Sequence, residues 1–190
     1  MSKTGPTSLQ LRDASPDDMP EIARIYAHYV QTSCVTFEEV PPTASEMGER
    51  LKLVRDKRLP WRVAERRDGA VVGYAYAVPF RARSAYRYVV ENSVYVAAGE
   101  AHRGIGMALM QDLIGECAAL GYRQMLAVIG DSANEASIRL HTRLGFRTIG
   151  YEVAVGLKFG RWVDVVQMQL ALGEGATSIP GVEPVGYGRP

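Results

Sequence analysis

The chain has 190 residues, 47% of them hydrophobic and 23% charged, which is enough apolar material to bury the core of one domain. A formal net charge of +1 supplies no field to hold nucleic acid or a membrane surface, so neither is an expected partner. Cys34 and Cys117 have no CxxC neighbour and no metal-like spacing to the three histidines, which argues against a disulfide framework and a metal site and for a reducing, cytoplasmic setting.

The opening MSKTGPTSLQ has neither a secretory pattern nor a run near the roughly 18 apolar residues of a membrane span. SLQLRDA alternates as a short strand, and SPDDMPEIARIYAHYV follows as a helix, with Ser15 as N-cap and Pro16 in the first turn. Ile22, Ile25, Tyr26 and Tyr29 recur on one face of it and read as core, and His28 reads as structural. After the loop TSCVTFEEVPP, Thr43 and Glu46 have capping-box spacing and predict a helix over about Ala44 to Lys57. Phe37 and Glu38 in that loop read as a packed aromatic and a solvated acid.

WRVAERRDGAVVGYAYAVPF predicts a hairpin turning at Asp68-Gly69, a dipeptide that tolerates positive φ. SVYV, 93 to 96, is a further strand, and a helix runs from Ile105 through Leu109, Leu113, Cys117 and Leu120 to Gly121. YRQMLAVIG, NEASIRLHTRLG and VAVGLKFGRWVDVVQMQL then predict a buried strand, a helix ending at Gly145 and a closing pair of strands around Gly160. The expected class is α/β with one mixed central sheet, antiparallel at the start and parallel across the central crossover. One domain over 1–172 and a Gly/Pro-rich tail over 173–190 complete the organisation.

The junction AHRGIG joins a strand to a helix. Gly104 and Gly106 allow a sharp turn and a close backbone approach, and the helix start beyond them presents unpaired N–H groups and a positive dipole end suited to a phosphate or pyrophosphate. Arg103 adds a formal charge; a plain turn is the alternative. Met107 and Ala108 stand where a Walker loop needs Lys and Ser/Thr, and Leu109 stands where a dinucleotide fingerprint needs its third glycine, so neither motif applies.

VYV through HRGIG, then AVIG and NEASIRLHTRLGF, resembles the Gcn5-related N-acetyltransferases (GNAT). More narrowly, TFEEVPPT, RARSAYRYVVENSVYV, NEASIRLHTRLGF and KFGRWVDVVQMQL are similar to the phosphinothricin and methionine sulfoximine or sulfone acetyltransferases, from about Leu9 to Leu170. The resemblance implies a GNAT fold with helices on both sheet faces and a splayed central strand pair that binds acetyl-CoA, without a metal. It assigns the cofactor to Val94, Tyr95, Val96, His102, Arg103, Gly104, Ile105, Gly106, Met107, Asn134 and Ser137, with the Val96 N–H facing the acetyl carbonyl. Ala101 departs from the Gln or Arg usual at the start of this loop.

Asn134, Ser137 and His141 lie at i, i+3 and i+7, on one helix face. His141 holds the place of the tyrosine that protonates the departing thiolate in many members, and Asn134 and Ser137 are also good helix caps. Only a free amine attacks a thioester, so a base is needed, and the resemblance puts Glu91 in that role. Arg81, Ala82, Arg83, Glu91, Asn92 and Ser93 form the expected substrate patch, in which Arg81 and Arg83, alternating on one strand face, fork onto an acid group of a small amino acid analogue. The expected activity is acetylation of that analogue's α-amine, in a homodimer. Two other readings stay open: an acetyltransferase of protein or peptide amino termini, which wants an open groove rather than paired arginines, and a non-catalytic CoA-binding regulator, indifferent to Glu91.

Overall fold

The computed structural model describes residues 9–187, so the first residues of the chain, and 188–190 of the expected tail, lie outside it. Seven strands, β1 (Gln10–Asp13), β2 (Trp61–Glu65), β3 (Val71–Pro79), β4 (Val89–Val96), β5 (Gln124–Gly130), β6 (Arg147–Lys158) and β7 (Arg161–Ala171), form one open sheet. The helices are α1 (Met19–Thr32), α2 (Ala44–Asp56), α3 (Ile105–Ala119) and α4 (Glu135–Arg143). Strand order is β1-β2-β3-β4-β5-β7-β6, and β4–β5 is the parallel pair among antiparallel neighbours, which is the expected mixed α/β class.

Local chemistry explains the starts of the elements. The Ser15 N–H and hydroxyl both donate to the Asp18 carboxylate, at 2.6 and 3.0 Å, around a short 3₁₀ turn, Pro16–Asp18, from which α1 then continues. Arg12 holds the Asp18 carboxylate through two bonds of 2.7 and 2.8 Å, so that the turn is tied to β1. Thr43 and Glu46 cap α2 as the spacing predicts, and Gly69, at φ +84°, makes the β2–β3 turn.

Small residues set the distance of α3 from the sheet. A Cβ on Gly73 of β3 would lie 3.1 Å from both Ile105 and Leu109, and Ala75 and Ala77 continue the same face. Leu109, Leu113 and Cys117 are fully buried there, each leucine contributing roughly 1.5–3 kcal/mol. On the opposite face Trp61, Tyr74, Tyr76 and Tyr95 stack side by side, and Tyr26 of α1 meets Tyr95 edge-on at 5.0 Å. Helices therefore cover both faces.

Two strand expectations change. β4 begins at Val89 rather than Ser93, which puts Glu91 inside a strand instead of before it. Arg81 and Arg83 are not on a strand face: β3 ends at Pro79, which has no N–H to extend the ladder, and the chain passes through a loop into a 3₁₀ turn, Ser84–Tyr86. Residues 173–187 form no helix or strand, yet they lie along the body: Val185 N–H bonds to the Leu120 carbonyl at 2.9 Å and Tyr88 Oη to that of Val182 at 3.2 Å.

Candidate active site

The central parallel pair is a fork. β4 and β5 are paired only from Val89–Gln124 to Asn92–Ala127, although β4 continues to Val96 and β5 to Gly130. The Ala97 N–H bonds to the Val72 carbonyl at 2.8 Å and the Phe80 N–H to that of Val89 at 3.2 Å, so the odd-numbered residues of β4 bond to β3. The backbone groups of Val94 and Val96 consequently face the opening of the fork. Tyr29 Oη donates to the Val96 carbonyl at 2.6 Å, leaving the Val94 groups and the Val96 N–H turned into the gap.

A cavity of about 690 Å³ fills the opening and is lined from both sides of the sheet, by Tyr29, Val35 and Tyr95 on the α1 side and by Ser137, Leu140 and His141 on the α4 side. At one end it reaches the start of α3. Gly104 sits at φ +78°, a left-handed conformation that favours glycine, and the first intrahelical bond is that of Ala108 N–H to the Gly104 carbonyl at 3.0 Å. The N–H groups of Ile105, Gly106 and Met107 thus come to the cavity wall without helical partners. Gly106 serves by size: a Cβ there would stand 3.3 Å from Leu140 of α4 and 3.7 Å from Val96.

Of the residues expected at the cofactor, Val94, Tyr95, Val96, His102, Gly104, Ile105, Gly106, Met107, Asn134 and Ser137 all line this cavity. Arg103 does not: its guanidinium turns outward to Glu100 at 2.9 Å, and Glu100 is also held by Arg66 at 2.8 Å. Ala101 and the exposed His102, at φ +62°, occupy the rim. Asn134 both caps and lines, since its Oδ1 accepts from the Ser137 N–H at 3.3 Å.

His141 is 2% exposed, and both of its ring nitrogens meet protein groups. Nδ1 lies 2.9 Å from the Ser137 carbonyl and 3.3 Å from Ser137 Oγ, and Nε2 lies 3.0 Å from Asn92 Oδ1. Burial lowers its pKa below 6.5 against the opposing pull of the Ser137 carbonyl.

Strand alternation divides the expected substrate patch. Asn92 and Ser93 both line the cavity, Asn92 from the α4 face, where it is buried on His141 and the Leu126 carbonyl, and Ser93 from the α1 face, which Glu91 shares. Glu91 lies outside the cavity wall, directly before Asn92; burial raises its carboxyl above 4.5, and among the described residues no hydrogen bond offsets that. Arg81, Ala82 and Arg83 are exposed and also outside the cavity wall; the Arg81 guanidinium lies over Phe80 at 4.9 Å and Tyr86 at 5.8 Å.

Sequence periodicity placed Tyr29 correctly on the buried face of α1 but did not reveal that its hydroxyl reaches β4. Nor did it mark Gly130, where a Cβ would stand 2.8 Å from the Val35 carbonyl oxygen and displace the α1–α2 loop. Glu38, read from the sequence as a solvated acid, is instead clamped by Arg50 at 2.7 and 2.9 Å and by Tyr26 Oη at 3.0 Å.

An open mixed sheet forked at its parallel pair, with a glycine turn and a helix start at the mouth of the fork, defines an acyl-transferase scaffold. The chain belongs to the GNAT acetyltransferases: the family model described as "Acetyltransferase (GNAT) domain" matches residues 11–167. Among its relatives, phosphinothricin N-acetyltransferase of Alcaligenes faecalis is 48% identical over 90% of this chain and 86% of that protein. L-methionine sulfoximine/L-methionine sulfone acetyltransferase of Pseudomonas aeruginosa is 38% identical over 87% of this chain and 95% of its own length. A phosphinothricin acetyltransferase from Sinorhizobium meliloti, solved in complex with acetyl-CoA, superposes with a TM-score of 0.87 at 45% identity, covering 90% of this chain and 92% of that one. The chain is therefore an N-acetyltransferase.

Proposed function

We propose that this enzyme transfers the acetyl group of acetyl-CoA to the α-amine of a small amino acid analogue of the phosphinothricin, methionine sulfoximine or methionine sulfone type. The observation that carries the reading is the cavity through the forked sheet, open to ligands from both faces beside unpaired backbone groups of Val94 and Val96. The α3 start suits the pyrophosphate, with the N–H groups of Ile105, Gly106 and Met107 as donors and no side chain in the way at Gly104. The Val94 groups suit the pantetheine amides, and the Val96 N–H suits the thioester oxygen as it gains negative charge.

On the amine side Glu91 takes the proton that keeps the substrate an ammonium, directly or through water, and burial, which raises its carboxyl above 4.5, makes it a stronger base than a solvated carboxylate. Arg81 and Arg83 recognise the acid groups of the analogue. His141 supplies the proton that the departing sulfur needs. The apolar surface formed by Tyr151, Val153, Val155, Leu157 and Trp162, each at least 51% exposed, supports burial against a second copy in a homodimer. Both cysteines are free and buried, as suits a cytoplasmic enzyme.

The test is thiol release from acetyl-CoA by purified protein over a panel of phosphinothricin, methionine sulfoximine, methionine sulfone, natural amino acids and peptides. Turnover confined to the small amino acid analogues is the expected result. Turnover on peptides alone assigns the enzyme to amino termini, and acetyl-CoA binding without turnover on any member of the panel overturns the small-analogue reading.

A further inference from the structure

The contacts of His141 contain a hydrogen-bonding asymmetry with a chemical consequence. The Leu126 carbonyl only accepts, and Asn92 Nδ2 donates to it at 2.8 Å. That bond fixes which way round the amide sits, because the reverse would put two oxygens in contact inside the sheet. Asn92 can therefore offer only its oxygen to His141, so Nε2, 3.0 Å away, meets it only when it carries a proton; the Ser137 carbonyl asks the same of Nδ1, but there the Ser137 hydroxyl is a second partner able to donate when the proton is absent. Asn92 is 6% exposed, so water does not readily substitute for either bond.

We infer that Asn92 is a positioning residue that locks one proton on His141 Nε2, so that the proton gained and lost during acetyl transfer is the one on Nδ1. This inference rests on the reading of His141 as the proton donor. Nδ1 is suited to the exchange. When it is protonated, the Ser137 carbonyl at 2.9 Å accepts from it; when it is bare, the Ser137 hydroxyl at 3.3 Å donates to it. Asn92, Ser137 and His141 all line the cavity, and of the two nitrogens Nδ1 is the one whose partners include both an acceptor and a donor, so it can change its proton while Nε2 stays committed to the amide oxygen. The proton count closes. The free amine loses one proton on acylation, the sulfur gains one as the C–S bond breaks, and His141 Nδ1 holds one only in passing.

Without Asn92 the preference reverses. Nε2 then has no acceptor, and in the neutral ring the nearby Ser137 carbonyl draws the single proton to Nδ1. Asp at 92 keeps an acceptor toward Nε2, so Asn92→Asp preserves the tautomer even though it loses the donation to Leu126.

The experiment is ¹⁵N NMR of the imidazole nitrogens of the full chain, above the His141 pKa, alongside kcat, KM and acetyl-CoA affinity. The wild type and Asn92→Asp should show neutral His141 protonated at Nε2, and Asn92→Ala should show it at Nδ1. Asn92→Ala should lose about 10²-fold in kcat, the size of a lost proton-transfer group, while its acetyl-CoA Kd moves less than about threefold. A wild-type tautomer protonated at Nδ1 overturns the inference, and that spectrum decides the matter even if Asn92→Ala does not fold. An Nε2–H tautomer together with full turnover in His141→Phe keeps the tautomer assignment and removes the reading of His141 as the donor, and with it the part of Nδ1 in the transfer.

Discussion

The two halves of this site are made of different materials. On the α3–α4 side the groups that face the cavity are largely backbone: the first N–H groups of α3, the open edge of β4 and a glycine held at φ +78°. On the other side the groups assigned to the amine are side chains, with Glu91 on β4 and Arg81 and Arg83 in the loop before it. Backbone donors are placed by the sheet and helix themselves and change little when side chains change. A half built from loop side chains is redesigned by single substitutions, so a common acetyl donor and a variable acceptor can share one scaffold.

The largest effect that sharpens this contrast is expected at Glu91. Glu91→Gln should lower turnover by about 10² to 10⁴, because the amide keeps the shape but takes no proton, with acetyl-CoA affinity nearly unchanged. The loss should shrink as pH rises toward the amine's own pKa. Stability gives an independent sign. A carboxyl raised above 4.5 by burial favours the protonated fold, so wild-type stability should fall as pH rises from about 4.5 through the raised value, and Glu91→Gln should lack that slope. Near-normal turnover of the variant at neutral pH would remove Glu91 as base.

Arg83 comes next. Its side chain is exposed and has no ion pair or hydrogen bond among the described residues, so Arg83→Ala should leave the melting temperature alone. The KM should rise roughly tenfold to a hundredfold for an amino acid substrate and much less for the matching amide, the loss of one charge-assisted bond. Equal losses on acid and amide would break the assignment of this loop to the acceptor.

A test of the backbone-built half is Gly104→Val. A Cβ at Gly104 meets no atom within 4 Å, but a β-branched residue at φ +78° is strained by about 1–3 kcal/mol. The turn should relax and weaken acetyl-CoA binding by roughly tenfold in calorimetry, with the amine KM hardly altered. Unchanged affinity would make the turn structural only.

The smallest effect is expected at Tyr29, which touches the backbone half through one hydroxyl. Tyr29→Phe removes the 2.6 Å bond to the Val96 carbonyl and should cost about 1 kcal/mol, visible as a several-fold change in acetyl-CoA affinity or as a drop of a few degrees in melting temperature. No change in either would show that β4 keeps its open edge unaided.

How far the sequence reached follows the same division. Apolar periodicity, the Thr43/Glu46 capping box, the Asp68-Gly69 turn and the glycine junction at 104–106 are local signals, carried by propensity and φ preference, and the elements they announce are present. The loop at 81–83 misled because alternating arginines mimic a strand, while Pro79 just upstream stops the ladder. The sequence did not show that Arg103 pairs with Glu100 three residues earlier, because the charge that favours a phosphate equally favours a carboxylate.

By itself the sequence determined the order of elements, the mixed α/β class and the glycine-lined start of α3, because each depends on residues within a few positions of one another. Only the tertiary structure decided where β4 and β5 part, that Tyr29 closes the Val96 carbonyl from 67 residues away, and that Asn92 turns from its neighbours Glu91 and Ser93 to meet His141 49 residues further on. Those are long-range pairings, and no local propensity encodes which two distant polar atoms will share one buried proton.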